Sequence, residues 1–262
     1  MWAIEIPAFL PFFIGAAAAL LTRGKLRSTL MLVIISLSGL HLWFLDGDVL
    51  VNMHFLEYEL TPYRVDSLSI VFGYVFHIAA FISVLFSLHV KDTMQHVSGL
   101  LYAGSAVGAL FAGDLLSLFV FWEILAVSSV FLVWARRTER AYQSGMRYLI
   151  IQVGSGVILL GGLLLQVEQT GSLEFDFIGT DHLGGWLILL AFGIKGAFPL
   201  LHTWLTDAYP EATPTGTVFL SAFPTKTAIY TLARGYPGTE LLIYVGATMA
   251  CFPIFYAVIQ ND

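Results

Sequence analysis

Residues 193–230 read GIKGAFPLLHTWLTDAYPEATPTGTVFLSAFPTKTAIY. The stretch holds two lysines, Lys195 and Lys226, each near the middle of an apolar run long enough to cross a bilayer. A charged lysine at that depth costs on the order of 3 kcal/mol. It is tolerated where it faces other protein or a water-filled cavity, or where it gives up its proton. Pro199 stands four residues after Lys195. Proline has no N–H, so the carbonyl of Lys195 loses its helical partner and the helix is expected to break there. Pro224 repeats the arrangement two residues before Lys226. A broken membrane helix beside a buried lysine is the local structure expected at an ion pathway.

The rest of the chain has the composition such helices need. It is 58% hydrophobic and 11% charged, with a mean hydropathy of +0.81. A soluble domain carries about 25% charged residues. Apolar runs near the ~20-residue threshold for spanning hydrocarbon cover residues 6–22, 28–45, 67–90, 96–112, 114–135, 146–167, 183–205, 214–233 and 239–259. The expectation is an all-α, polytopic transmembrane bundle of about nine helices, broken near Lys195–Pro199. The net charge of −6, without a basic patch, argues against nucleic acid as a partner. One cysteine, Cys251, excludes an internal disulfide and a thiolate metal cage. It is expected to be a small packed residue. The N-terminus lacks the basic region of a cleaved signal peptide, so the first run is expected to be a retained helix.

Charges on the connections alternate. Arg23, Lys25 and Arg27 follow the first span, Lys91 the third, and Arg136, Arg137, Arg140 and Arg147 the fifth. The opposite connections carry Asp46, Asp48, Glu57, Glu59, Glu168, Glu174, Asp176 and Asp181, with Arg64 and Arg234 as their only basic residues. The positive-inside rule then puts the N-terminus outside and the arginine-rich connections in the cytoplasm. The connection bearing Asp207 and Glu211 falls on the cytoplasmic side without a basic residue of its own. Residues 52–64 alternate polar and apolar and suggest a short extramembrane hairpin or strand. Gly104 and Gly108 form a GxxxG pair, read as close helix packing.

Glu123 is the third intramembrane charge. Such groups are functional by default, and one acid with two amines at similar depth suggests that Glu123 pairs with Lys195 or Lys226. At an effective dielectric of about 20 and about 4 Å, that pairing is worth about 4 kcal/mol, enough to decide whether a lysine holds its proton. His202 lies beyond Pro199 and can accept and pass a proton; capping or packing at the break is an equally weighted reading. His77, mid-span, reads as packing. Ser83, Ser87, Ser117, Ser128 and Ser129 either hold water or bond to the preceding turn. Tyr209, Pro210 and Glu211 read with Asp207 as a surface turn. No GxSxG elbow, HExxH site or phosphate-binding glycine loop is present.

FWEILAVSS at 121–129, GIKGAFPLLHTWLTDAYPEATPTG at 193–216, FLSAFPTKTAIY at 219–230 and YRVDSLSIVF at 63–72 together resemble one family. It comprises the proton-conducting membrane subunits shared by respiratory complex I and Mrp-type cation/proton antiporters, with the D-type member of the Mrp Na⁺/H⁺ antiporters as the nearest likeness. The resemblance implies that Glu123 is the fifth-helix glutamate, Lys195 the lysine of the broken seventh helix, Lys226 the eighth-helix lysine and His202 the histidine after the break. It also implies about fourteen helices in two inverted repeats. On that pattern residues 1–95 are three N-terminal helices, 96–235 the first repeat (helices four to eight) and 236–262 the opening helix of the second. The expectation is half of an inverted-repeat fold, a fragment or a split product, that another polypeptide completes. Pro224 so close to Lys226 departs from the pattern.

The function implied is proton translocation along Glu123, Lys195, Lys226 and His202 in a multisubunit Na⁺/proton antiporter of the cell membrane. The expected partners are other membrane subunits, protons, a monovalent cation and the lipid bilayer, with no cofactor and no metal. A membrane-arm subunit of a complex I-like or hydrogenase-type pump is the runner-up. A non-transporting structural half-subunit is the reading from another class. The chain itself is expected to be a transport component rather than an enzyme.

Overall fold

The computed structural model describes residues 6–45, 49–55 and 58–259. Asp46, Asp48, Glu57 and the terminal Gln260, Asn261 and Asp262 lie outside the described residues. In chain order the elements are α1 Leu10–Leu21, α2 Gly24–Trp43, β1 Val49–Phe55, β2 Tyr58–Val65, α3 Ser67–Ser87, α4 Thr93–Phe111, α5 Leu115–Trp134, α6 Glu139–Thr170, α7 Leu183–Lys195, α8 Thr203–Ala208, α9 Pro214–Ala222, α10 Pro224–Gly235 and α11 Glu240–Ile259. Among the described residues, α2, α3, α5, α6 and α11 are long and apolar enough to cross a membrane, and α1 and α7 are shorter apolar helices. Seven of the nine expected runs each fall on one helix. The run 183–205 is α7 and α8 with the break between them. The run 214–233, read as one span, is two segments that part at Phe223, because Pro224 begins α10 instead of continuing α9.

Helix starts follow short polar residues that satisfy otherwise orphaned backbone N–H groups, each worth about 1 kcal/mol. Asp66 and Ser69 form a reciprocal capping box at α3. Asp92 caps α4, Asp114 α5, Thr138 α6 and Thr213 α9. α4 is the central helix and is buried along most of its length. Its glycines explain the tight fit: a Cβ on Gly104 would lie 2.7 Å from the Cβ of Phe12 in α1, and one on Gly108 would run into the ring of Phe121 in α5. The close-packing reading of the GxxxG pair holds.

The connections gather at two ends of the bundle. At one end Arg27 donates to Thr93 Oγ1 at 2.9 Å, and Arg137 pairs with Asp92 at 3.3 Å. There Arg147 pairs with Asp207 at 2.8 Å and Arg140 with Glu211 at 2.7 Å. The acids after the α7–α8 break are therefore matched by arginines from the first turns of α6, so the segment that carries the acids needs no basic residue of its own. At the other end β1 and β2 pair antiparallel, with an irregularity between Val51 and Met53. Thr61 accepts from the Gly113 N–H at 2.9 Å, and Phe175 N–H donates to Gly113 at 2.9 Å. Arg64 and Arg234, the two basic residues of this end, share Asp66 and Asp176. α11 stands apart, and none of its apolar stretch is buried. Cys251, expected to be packed, is therefore exposed on it.

Candidate functional site

α7 ends on Lys195, and its side chain is fully buried. Its Nζ donates to the carbonyl of Trp122 at 3.2 Å and lies 4.4 Å from the centre of the Trp122 ring. Among the described residues it forms no ion pair. The expected direct contact with Glu123 is thus replaced by contact with the residue before it. A charged hydrogen bond is worth roughly 1.5–3 kcal/mol. A desolvated cation–π contact is worth about 2, and a helix C-terminus about 1. Together they offset a burial cost of several kcal/mol. A charged Lys195 would thus be supported without an ion pair and without a large surplus.

The break after Lys195 has a defined chemistry. Ala197 N–H donates to Ile194 at 3.1 Å and Phe198 N–H to Gly193 at 2.9 Å, the paired bonds that close a helix through a left-handed residue. That residue is Ala197, with φ of 57°, and Leu200 follows with φ of 72°. Non-glycine residues in this region cost about 1–2 kcal/mol each. Gly193 admits the ring of Phe198, which a Cβ would meet at 2.6 Å. Trp204 Nε1 donates to Ile194 at 2.9 Å and ties α8 back to the end of α7. Pro199 follows directly and keeps the chain from resuming helix.

Glu123 lies on α5 and its carboxylate sits against Gly156 of α6, where any Cβ would overlap it. It also lines a cavity of about 510 Å³ with Met94, Val97, Ser98, Leu101 and Ser128. Its Oε1 is buried without a hydrogen-bond partner, and so are both amide atoms of Gln152. Gln152 lies one turn before Gly156 and so on the same face of α6. Trp122 Nε1 donates to Ser155 at 3.2 Å, and Ser155 donates to the Gln152 carbonyl at 2.7 Å. Trp122, Gln152 and Gly156 escaped the sequence reading. An amide inside the apolar run of α6 was the available signal for Gln152.

Lys226 is exposed at the start of α10 and donates to the Ser221 carbonyl at 2.7 Å. That carbonyl and the one at Leu220, which accepts from Tyr209 Oη at 2.7 Å, lie at the gap made by Pro224. Ala228, two residues on, sits beside Gly196, where a Cβ would meet its methyl at 3.4 Å. His202 precedes α8, and its ring meets Phe252 of α11 edge-on, 5.0 Å between centroids. The structure therefore brings Lys195 beside the residue next to Glu123, with His202 at the far end of the same α7–α8 break and Lys226 at the neighbouring α9–α10 break. His77 packs as expected: its ring nitrogens engage the Gly73 carbonyl at 2.7 Å and Ser38 at 2.9 Å. Ser83, Ser87, Ser128 and Ser129 bond to the preceding turn, and Ser129 also meets Tyr148 Oη at 2.8 Å. Among the described residues no three His, Cys, Asp or Glu side chains gather to hold a metal.

Residues 112–259 match the family described as NADH:quinone oxidoreductase/Mrp antiporter, transmembrane. The chain belongs to this family. The match includes Glu123, Lys195, His202 and Lys226. NAD(P)H-quinone oxidoreductase chain 5 of Picosynechococcus sp. is 27% identical over 84% of this chain and 36% of its own length. A Na(+)/H(+) antiporter subunit of Alkalihalophilus pseudofirmus is 27% identical over 59% of this chain and 35% of its own length. A chain of the solved Mrp complex from Dietzia sp. superposes with a TM-score of 0.86 at 24% identity, over 97% of this chain and 31% of that one. The chain thus spans about a third of the length of the curated relatives it matches. It is a multi-pass membrane protein of the antiporter-like fold.

Proposed function

We propose that this chain translocates protons as part of a multisubunit monovalent cation/proton antiporter, with Na⁺ as the exchanged ion. The observation that carries the reading is Lys195: a fully buried amine at a helix break, set against the Trp122 carbonyl and ring with no ion pair among the described residues. A structural half-subunit has no use for such a group, because an apolar residue of similar volume would cost less. In this reading Glu123 modulates Lys195 electrostatically. Lys195 loads and releases a proton. His202, across the same break, and Lys226, at the neighbouring one, pass it on. The unpartnered atoms of Glu123 and Gln152 offer bonds to the water that must enter such a path. The division into 1–95, 96–235 and 236–262 belongs to the same proposal, with other membrane subunits as partners.

The match to the quinone oxidoreductase chain, the longer of the two alignments, supports a second reading, a membrane-arm subunit of a redox-driven pump. One experiment addresses both. Inverted membrane vesicles carrying the chain with its genomic neighbours are energised, and dissipation of ΔpH on adding Na⁺ is recorded. Antiport predicts rapid dissipation that Lys195→Ala abolishes at matched expression. Absence of a Na⁺ response in the wild type, with proton pumping driven by NADH or another reductant, would move the assignment to the redox-driven complex.

A further inference from the structure

We propose that the cavity between the α1–α2 and α3–α4 connections binds the phosphate of an anionic phospholipid headgroup. The cavity measures about 860 Å³ and is lined by Arg23, Lys25, Arg27, Lys91, His89 and His96, with no carboxylate on its wall. The contrast with the same end of the bundle is decisive. Arg136, Arg137, Arg140 and Arg147 each meet an acid there, whereas the four cations of the cavity form no ion pair among the described residues. Cations that only set topology need no common cavity; these four converge on one.

The floor is built rather than loose. Arg27 is 5% exposed and fixed by the Thr22 carbonyl and Thr93 Oγ1. His96 is 4% exposed. Its Nε2 meets the Val90 carbonyl at 2.9 Å, which makes Nε2 the donor, and its buried Nδ1 has no partner. α2 also begins here, at Gly24 in the left-handed region, and Arg23 provides no side-chain cap, so the first N–H groups of a 20-residue helix are open to an anion. A lipid source fits better than free phosphate. Leu26, between the lining Lys25 and Arg27, and Leu85 and Phe86, one turn before the lining Leu88 and His89, are 60%, 50% and 49% exposed, apolar surface open to acyl chains. Basic pockets on the cytoplasmic side of helices take such headgroups.

The test uses the full chain purified in detergent, with thermal stability and native mass spectrometry as readouts. Phosphatidylglycerol should raise the melting temperature and remain bound, while phosphatidylcholine and inorganic phosphate at equal concentration should do neither. The triple variant Arg23→Gln, Lys25→Gln, Lys91→Gln should retain about tenfold less phosphatidylglycerol or worse, and Arg23→Lys with Lys91→Arg should retain it. Equal stabilisation by phosphatidylcholine, or by phosphate alone, would overturn the proposal using the wild type only. So would unchanged retention in the triple variant. Loss of co-purifying membrane subunits with lipid retention intact would make the cavity a protein interface instead.

Discussion

Lys195 and Glu123 act across a residue rather than in contact, and that arrangement separates charge from proton transfer. Lys195→Arg keeps a cation over Trp122, but a guanidinium does not release its proton in this pH range. The expected outcome is loss of Na⁺-driven ΔpH dissipation with normal insertion; near wild-type exchange would leave Lys195 a structural cation. Glu123→Gln removes the charge that reaches Lys195 and should lower exchange at least about tenfold, equivalent to about 1.4 kcal/mol. Gly156→Ala is a subtler probe. Alanine favours helix over glycine by about 1 kcal/mol, so the fold should hold, yet the new methyl claims the space of the Glu123 carboxylate. Exchange should fall while the melting temperature does not. The two lysines and the glutamate were legible as charges in apolar runs. Trp122, Gln152 and Gly156 were not, because what makes them part of the site is their placement across the α5–α6 interface.

Helix breaks show where residue chemistry becomes element geometry. Pro199 announced the first break; Pro224 stood beside Lys226 without dividing the run read around it. The place where α7 ends did not follow from them, since the left-handed closing residue is usually glycine and here is Ala197. Ala197→Gly should relieve the strain and stabilise the chain by about 1 kcal/mol, read as a raised melting temperature in detergent. Ala197→Val, β-branched at positive φ, should lower it. An unchanged melting temperature in both would mean that Ala197 is not strained. At the second break the run 214–233 read as one span because its hydropathy is continuous across Pro224. The structure divides it, with Lys226 and Tyr209 taking carbonyls at the gap. Hydropathy follows apolar side chains and is blind to which carbonyls have lost their N–H partners. That blindness is why Lys226 was expected at mid-span and stands exposed beside a break.

At the scale of the molecule, polar residues tie each end of the bundle together. Burial alone would raise the Asp66 carboxyl; the Ser69 N–H and the Arg234 guanidinium outweigh it and hold the carboxyl below the ordinary aspartate value. A carboxylate whose value is lowered by folding stabilises at any pH above the unfolded value, near 3.9, and that support is lost as pH falls through the lower folded value. Asp66→Asn retains a capping side chain but leaves Arg234, 8% exposed, short of its nearest anion. It should cost about 2–3 kcal/mol at neutral pH and flatten the acid limb of stability below about pH 4; a purely helix-capping Asp66 would show neither. Orientation follows from the other end. Arg23, Lys25, Arg27, Lys91, Arg136, Arg137, Arg140 and Arg147 come from three connections that contact one another, so the alternation read along the sequence is a real polarity of the bundle. The positive-inside rule assigns that end to the cytoplasm. Replacing exposed Cys251 by serine gives a background free of cysteine. Gln143→Cys and Ser172→Cys then report on the two ends, since both positions are exposed. A membrane-impermeant thiol reagent should label Ser172→Cys in intact cells and Gln143→Cys only in inverted vesicles. The reverse pattern would invert the orientation; labelling of both from one side would contradict the two-ended bundle itself.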